Sequence, residues 1–450
     1  MPKNTYSKFA SRTPDRLAMR ICKLALALAV CGISPAYAQS QASDDADIAK
    51  QIQALRAQQV QITEMQRQTE ESIRALEAKL GLQSPAASPH TPVAATVAAT
   101  ATPATTDKSD APRLKISGDL RLRAQGDFSD SDGSDRSSSQ LRARLGATYV
   151  VNDRITVGAR LVTGDSDDPN STDIQLSNWN DDLQVSLDLA YAQFNFGDLK
   201  VYGGKIPMPF ARTDLVWDGD VNPQGASGSY RHALAGGSAF RANGLFFVVD
   251  EQVAGPDSTM GGVQLGFNSA TDGDFKYDLY GGYYRYSLSS MAGADAGDWR
   301  SNRRKPDGSF LSDFELLDLI ADVTWQGGNE KWPLRIVGNY VKNLGAIDDQ
   351  DTGFGVDLSL GRASTAGDWR FTYGYSQTDV DAVLAAFSND NIGIATNYKL
   401  HALTTEYTPA AKTAIGAIWY HYKPNNSLYA GSNQPGDWLD RVRIYYLINF

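Results

Sequence analysis

From Leu114 to the C-terminus this chain keeps a two-residue rhythm. In "LKISGDLRLRAQGDF", Leu114, Ile116, Gly118, Leu120, Leu122, Ala124 and Phe128 fall on one side of the period, and Lys115, Ser117, Asp119, Arg121, Arg123 and Asp127 on the other. Successive side chains of a strand point to opposite faces, so this stretch is a long strand with one apolar and one wet face. The pattern recurs in "QLRARLGATYVV", "RITVGARLVTG", "LQVSLDLAY", "LRIVGNYV", "GFGVDLSLG" and "DWRFTYGYS" and closes the chain in "RVRIYYLINF". No helical period interrupts it. Tyr, Phe and Trp, at 21, 16 and 8 residues, suit the same structure.

Electrostatics decides which face looks where. Arg121, Arg123, Arg142, Arg144, Arg160, Arg441 and Arg443 all lie on the polar side of their strands. An arginine turned to lipid costs about 2–4 kcal/mol at the bilayer midplane, so turning all of them outward would cost on the order of 10–30 kcal/mol, as much as or more than the stability of a whole domain. They must face a hydrated interior. The fold class expected is therefore all-β: an antiparallel transmembrane β-barrel preceded by a short N-terminal α-helical coiled coil. In the last strand Val442, Ile444, Tyr446, Ile448 and Phe450 would face lipid. That strand would pair with the first, leaving no open edge.

Turns of two classes alternate along residues 114–450. Short ones occur at Asn152-Asp153, Gly197-Asp198, "TDGD", "GGNEK", "STAGD" and "TPAAK", and long polar ones at 129–139, 166–181, 211–229, 288–312, 379–396 and 424–437. Outer-membrane barrels show this asymmetry, with the short turns periplasmic. A direct count gives fifteen strands, an odd number; a hairpin turn at Asn243-Gly244 would restore an even count of about sixteen.

The region before the barrel divides in three. Basic residues from Lys3 to Lys23, the apolar "LALALAVCGIS" and the "AYA" ending at Ala38 make residues 1–38 a secretory signal peptide. Both cysteines, Cys22 and Cys31, lie within it, so the mature chain would hold no disulfide and no cysteine-ligated metal. Its removal would leave 36 basic against 51 acidic residues, a net charge of −15 that argues against nucleic acid as a partner. Residues 39–82 carry a heptad seam, Ile48, Ile52, Leu55, Gln59, Ile62, Gln66, Thr69, Ile73, Leu76 and Leu80, which predicts a periplasmic coiled coil or a single amphipathic helix. Residues 83–113, rich in Pro, Ala and Thr, read as an extended linker.

A terminal strand ending in Phe450 resembles the insertion signal of bacterial outer-membrane proteins, read by the outer-membrane assembly machinery. "GGKIPMPFARTDLVWDGDVNPQG" is similar to a segment of the putative porin family of proteobacterial outer-membrane proteins. The resemblance implies an outer-membrane porin, a trimer by analogy with sixteen-strand porins, that passes small solutes or ions passively and needs no cofactor. It further implies that the third long loop, carrying Asp214, Asp218 and Asp220, folds inward and faces the basic wall of the first three strands and the last. Opposed charges there would orient dipolar solutes. The arginines could equally be solvated, or paired with neighbouring aspartates.

Weaker motifs carry less. "DGDVN" at 218–222 copies half of a calcium loop, but Pro223 stands where glycine is required and Ser229 where the bidentate glutamate should be. His232, His401 and His421 lack metal-ligand spacing. A barrel hydrolase would need a nucleophile with a positioned base, and no G-x-S-x-G elbow is present. A structural anchor tethering envelope layers through coiled coil and linker is the other reading.

Overall fold

A computed structural model describes residues 112–129, 135–166, 168, 170–176, 182–270, 273–289, 300–430 and 438–450. The signal peptide, the heptad segment and nearly all of the linker expected from the sequence lie outside these residues. Within them the alternation becomes strands β1 (Leu114–Ser129), β2 (Arg136–Asn152), β3 (Ile155–Thr163), β4 (Ile174–Gln175), β5 (Val185–Phe196), β6 (Leu199–Lys205), β7 (Gln224–Ala233) and β8 (Ala239–Asp250). They continue as β9 (Ser258–Asn268), β10 (Phe275–Ser287), β11 (Glu315–Trp325), β12 (Leu334–Asn343), β13 (Thr352–Gly361), β14 (Trp369–Thr378), β15 (Tyr398–Tyr407), β16 (Thr413–Pro424) and β17 (Leu439–Asn449).

All pairings are antiparallel, and β1 bonds both β2 and β17, so the sheet closes on itself. The two-residue β4 only adds to the side of β2 from the connection after β3. Sixteen strands therefore make the wall, an even number as expected for a single-chain bacterial barrel. Outward positions such as Leu122, Leu145, Leu265, Leu319, Val356 and Leu403 are exposed, forming the lipid-facing band. Trp332, Trp369 and Phe371 stack near its periplasmic edge, where aromatic girdles belong.

One turn differs from expectation. Asn243-Gly244 lies inside β8, paired with Ser229 and Gly228 on one side and with Gln264 and Val263 on the other. The chain instead reverses at residues 234–238, where Gly236 and Gly237 take φ values of 81° and 86° and Leu234 N donates to Ser238 O at 2.8 Å. Consecutive glycines enter the left-handed region without steric cost, so the turn did not need the Asn-Gly pair. Leaving β8 unbroken aims Leu245 and Phe247 inward and Phe240 and Phe246 outward. Two long connections are also shorter than expected: β2 already begins at Arg136, and the third connection ends before Gln224.

The seam explains the aromatic terminus. Phe450 N donates to Gly118 O at 3.0 Å and Gly118 N to Phe450 O at 3.3 Å, extending the β1–β17 ladder to the last residue. The Phe450 ring covers Gly118 on the outer face, where an added Cβ would stand 2.5 Å from its Cζ and 2.2 Å from Arg144 O. We expect Gly118→Ala to destabilise the closed barrel by about 1–3 kcal/mol, the usual cost of overpacking. Urea unfolding in micelles measures this, and an unchanged midpoint would refute the packing role given to Gly118.

Candidate functional site

The inner wall is not uniformly polar. On β8 to β12 the inward residues Leu245, Phe247, Met260, Tyr284, Tyr286, Leu316 and Val341 form a buried apolar patch. Residues 206–223, joining β6 to β7, fold into the barrel and cover it with Ile206, Phe210, Leu215, Val216, Trp217 and Val221. Trp217 is fully buried, edge-on to Tyr284 at 5.7 Å and stacked on Phe387 at 6.0 Å. Each large side chain so buried contributes roughly 1.5–3 kcal/mol. Phe387 belongs to a second inward connection, 379–397 between β14 and β15, and its carbonyl accepts from Asp218 N at 2.8 Å. Polar contacts set the height of the first loop: the Gln264 side chain clasps Ala211 N and O at 2.8 Å each, and the Arg212 guanidinium caps the carbonyls of Asp218, Gly219 and Val221.

Opposite the loop, the predicted arginines project inward from β1, β2, β3 and β17, and aspartates hold most of them. Asp119 accepts from Arg142 at 2.9 Å and Arg144 at 2.6 Å, while Asp173 bridges Arg121 at 2.5 Å and Arg123 at 2.7 Å. Arg160 pairs with Asp188, and Arg441 with Asp127. Arg443 is different: its guanidinium donates to the amide oxygens of Gln125 and Asn391 at 2.8 Å each. Pairing and closeness to the loop acids thus occur together.

Among the three loop aspartates, Asp220 reaches the wall directly, 3.1 Å from Arg144, with Thr172 donating to it at 2.9 Å. Burial alone would raise its pKa, but Arg142 and Arg144 bring it below the ordinary carboxylate range. Asp218 behaves oppositely. Burial, with Asp390 and Asp214 nearby, pushes it up to about 10, so it is protonated and uncharged at neutral pH, unlike the uniformly charged loop the sequence suggests. Asp214 is open to the lumen on one side, and burial by the surrounding loops, with Asp390 and Asp357, raises it to about 6. Its carboxylate accepts from Asn391 Nδ2 at 2.9 Å.

Two wet cavities meet at this point. One, of about 310 Å³, lies between Arg121, Arg123, Arg142 and Arg144 and the loop residues Asp214, Asp218, Asp220 and Asp390. The other, of about 370 Å³, is bounded by Arg212, Asn339, Asp357, Asn389, Tyr398 and Tyr420. Asp214 and Asn391 line both. The sequence leaves pairing with neighbouring aspartates open but does not single out Asp119, Asp127 and Asp188 as the partners, although the strand period places them on the polar face. Asp173, Asp390 and Asn391 gave no signal, because they come from irregular loops.

Residues 129–305 match the family model described as "Putative porin". The sequence matches none of the curated proteins. Among solved structures, Pseudomonas putida OprB is 12% identical with a TM-score of 0.50, covering 75% of this chain and 94% of that one. Salmonella typhi OmpF is 13% identical (TM-score 0.48, 75% and 97% covered), and the Acinetobacter baumannii channel DcaP is 12% identical (TM-score 0.43, 75% and 97% covered). At such identity the OprB likeness establishes the barrel fold alone.

The raised Asp214 makes the charge of the cavity it shares with the wall arginines pH-dependent. Above about pH 6 this carboxylate is ionised; as pH falls through that value a negative charge leaves the lumen while Asp218 stays neutral. Cation permeability relative to anions should therefore drop between pH 7 and 5. Reversal potentials in planar bilayers test this, with Asp214→Asn abolishing the inflection; a wild-type profile flat across that interval would contradict it.

Proposed function

We infer that this porin-family barrel is a bacterial outer-membrane channel through which small hydrophilic solutes and ions diffuse passively. The observation that carries this reading is the loop 206–223, seated on an apolar inner patch so that it narrows the lumen without filling it. A protein built only as an anchor would have no need of a wet gap lined by paired charges. Passive passage also requires no reacting group.

In this reading Arg121, Arg123, Arg142, Arg144, Arg160, Arg441 and Arg443 are pore-wall residues, and Asp214, Asp218 and Asp220 belong to the constriction loop. The wall arginines are largely neutralised by Asp119, Asp127, Asp173 and Asp188. Selection would then work through size and dipole orientation more than through net charge. Arg443 contacts only amides on its polar side but has the Asp390 carboxyl acting on it, so net charge biases the passage little.

The remaining parts fit the same role. Residues 1–38 would direct export, and Phe450 would serve as the insertion signal for the outer-membrane assembly machinery. The heptads between Ile48 and Leu80 would join copies in the periplasm, as a homotrimer, with residues 83–113 as tether between bundle and barrel.

Liposomes containing the protein should swell in sugars of small size and resist large oligosaccharides; no swelling with any sugar would leave the anchor reading. Trp217→Ala removes a buried indole worth about 3–5 kcal/mol of local packing, and the loosened loop should raise the size cut-off. Arg142→Ala should shift the reversal potential towards cations.

A further inference from the structure

Outward-facing basic residues are costly on a barrel, and those near the extracellular ends of these strands fall into two groups. Arg285 on β10 has Glu315 at 3.1 Å, and Lys342 on β12 has Asp351 at 2.9 Å. On β15 and β16 the arrangement differs. Lys399 stands directly across from Lys423, and His401 directly across from His421. The four share the outer face with the exposed Leu403 and Ile415. Like charges facing each other across strands repel. Among the described residues neither lysine has a carboxylate within ion-pair distance. Asp440 is engaged elsewhere, accepting from His421 Nδ1 at 2.8 Å and Trp419 Nε1 at 2.9 Å.

An aromatic frame surrounds these two rungs. Trp438 stacks on His421 at 4.3 Å and lies 4.8 Å from Lys423 Nζ, and Tyr373 Oη is 2.8 Å from His401 Nδ1. Lys399 and Lys423 lie one residue in from the extracellular ends of their strands. Tryptophan and tyrosine at this level mark the membrane–water interface, and lysine heads there reach the headgroup layer. A facing pair of lysines at that depth, framed by rings, is complementary to a phosphate anion. Basic clusters at the interface bind lipid phosphates.

We propose that the outer face of β15 and β16 holds the phosphate of an anionic lipid headgroup in the outer leaflet, with Lys399 and Lys423 as its charged ligands. The site lies outside the lumen and is independent of solute passage. Full-length protein folded in neutral detergent and titrated with diphosphoryl lipid A tests it by native mass spectrometry. Wild type should retain the lipid, and Lys399→Gln and Lys423→Gln should each lower retention about fivefold, the effect of one lysine near an anionic surface. Lys342→Gln, an outward lysine already paired, should leave retention unchanged. In the wild type, lipid should also shield Lys399 and Lys423 from amine acylation relative to Lys342, a readout that requires no variant to fold. Equal retention by the double variant, equal retention of dephosphorylated lipid A, or displacement by equimolar inorganic phosphate would each overturn the proposal. Unchanged liposome swelling in the lysine variants is expected, so failure here and failure of the channel reading are separable.

Discussion

Within hydrocarbon a backbone amide has no water to turn to, so every N–H and C=O that crosses must be bonded inside the chain. In this protein that requirement converges on β1, which bonds the second strand and the last simultaneously. Parity alone would allow slips of two residues that keep apolar residues outside. The inner face removes that freedom. In the observed register Asp127 faces Arg441 and Gln125 faces Arg443, and both pairs are joined by side-chain contacts. A slip one way would set Arg443 against Arg123; the other way would leave Arg441 opposite Ser129. The arginines that look like pore chemistry thus also select the seam.

Concentrating basic residues has its own cost. Arg121 and Arg142 are direct cross-strand partners, a repulsive pair by position. It is tolerated because Asp119 and Asp173 sit between guanidinium groups, each accepting from two arginines. Asp173 comes from the connection after β3, and Asp220 from the inward loop, so the wall is complete only when two loops have docked.

The sequence makes legible whatever follows a strict local rule. The two-residue period makes the strands, the inward arginines and the outward band legible, but its direct count stops at fifteen; the even number comes from the parity of closed barrels, and the turn chosen to reach it is misplaced. The rule that hides most is the one for turns. Asn243-Gly244 is a strong hairpin dipeptide, yet the pairing of β8 with both neighbours outweighs it, and Gly236-Gly237 provides the reversal. Loop docking was legible only by resemblance, although "GLFFVVD" and "LLDLIADV" carry large apolar residues on both faces, the mark of strands covered on both sides. Asn391 could not be found, since its position depends on how residues 379–397 pack against Trp217 and its neighbours.

The apolar and charged halves of the lumen divide the labour. On β8 to β12 burial holds the inward loop 206–223 in place; on β1 to β3 and β17 ion pairs line the cavity beside it. The two halves meet through Asn391, whose side-chain oxygen accepts from Arg443 and whose nitrogen donates to Asp214. An amide in that position matters physically. A direct arginine–aspartate pair would bring the two charges into contact, where each largely cancels the other's field. Interposing Asn391 bonds both groups while holding the opposite charges apart, so the field between them is not cancelled by direct contact.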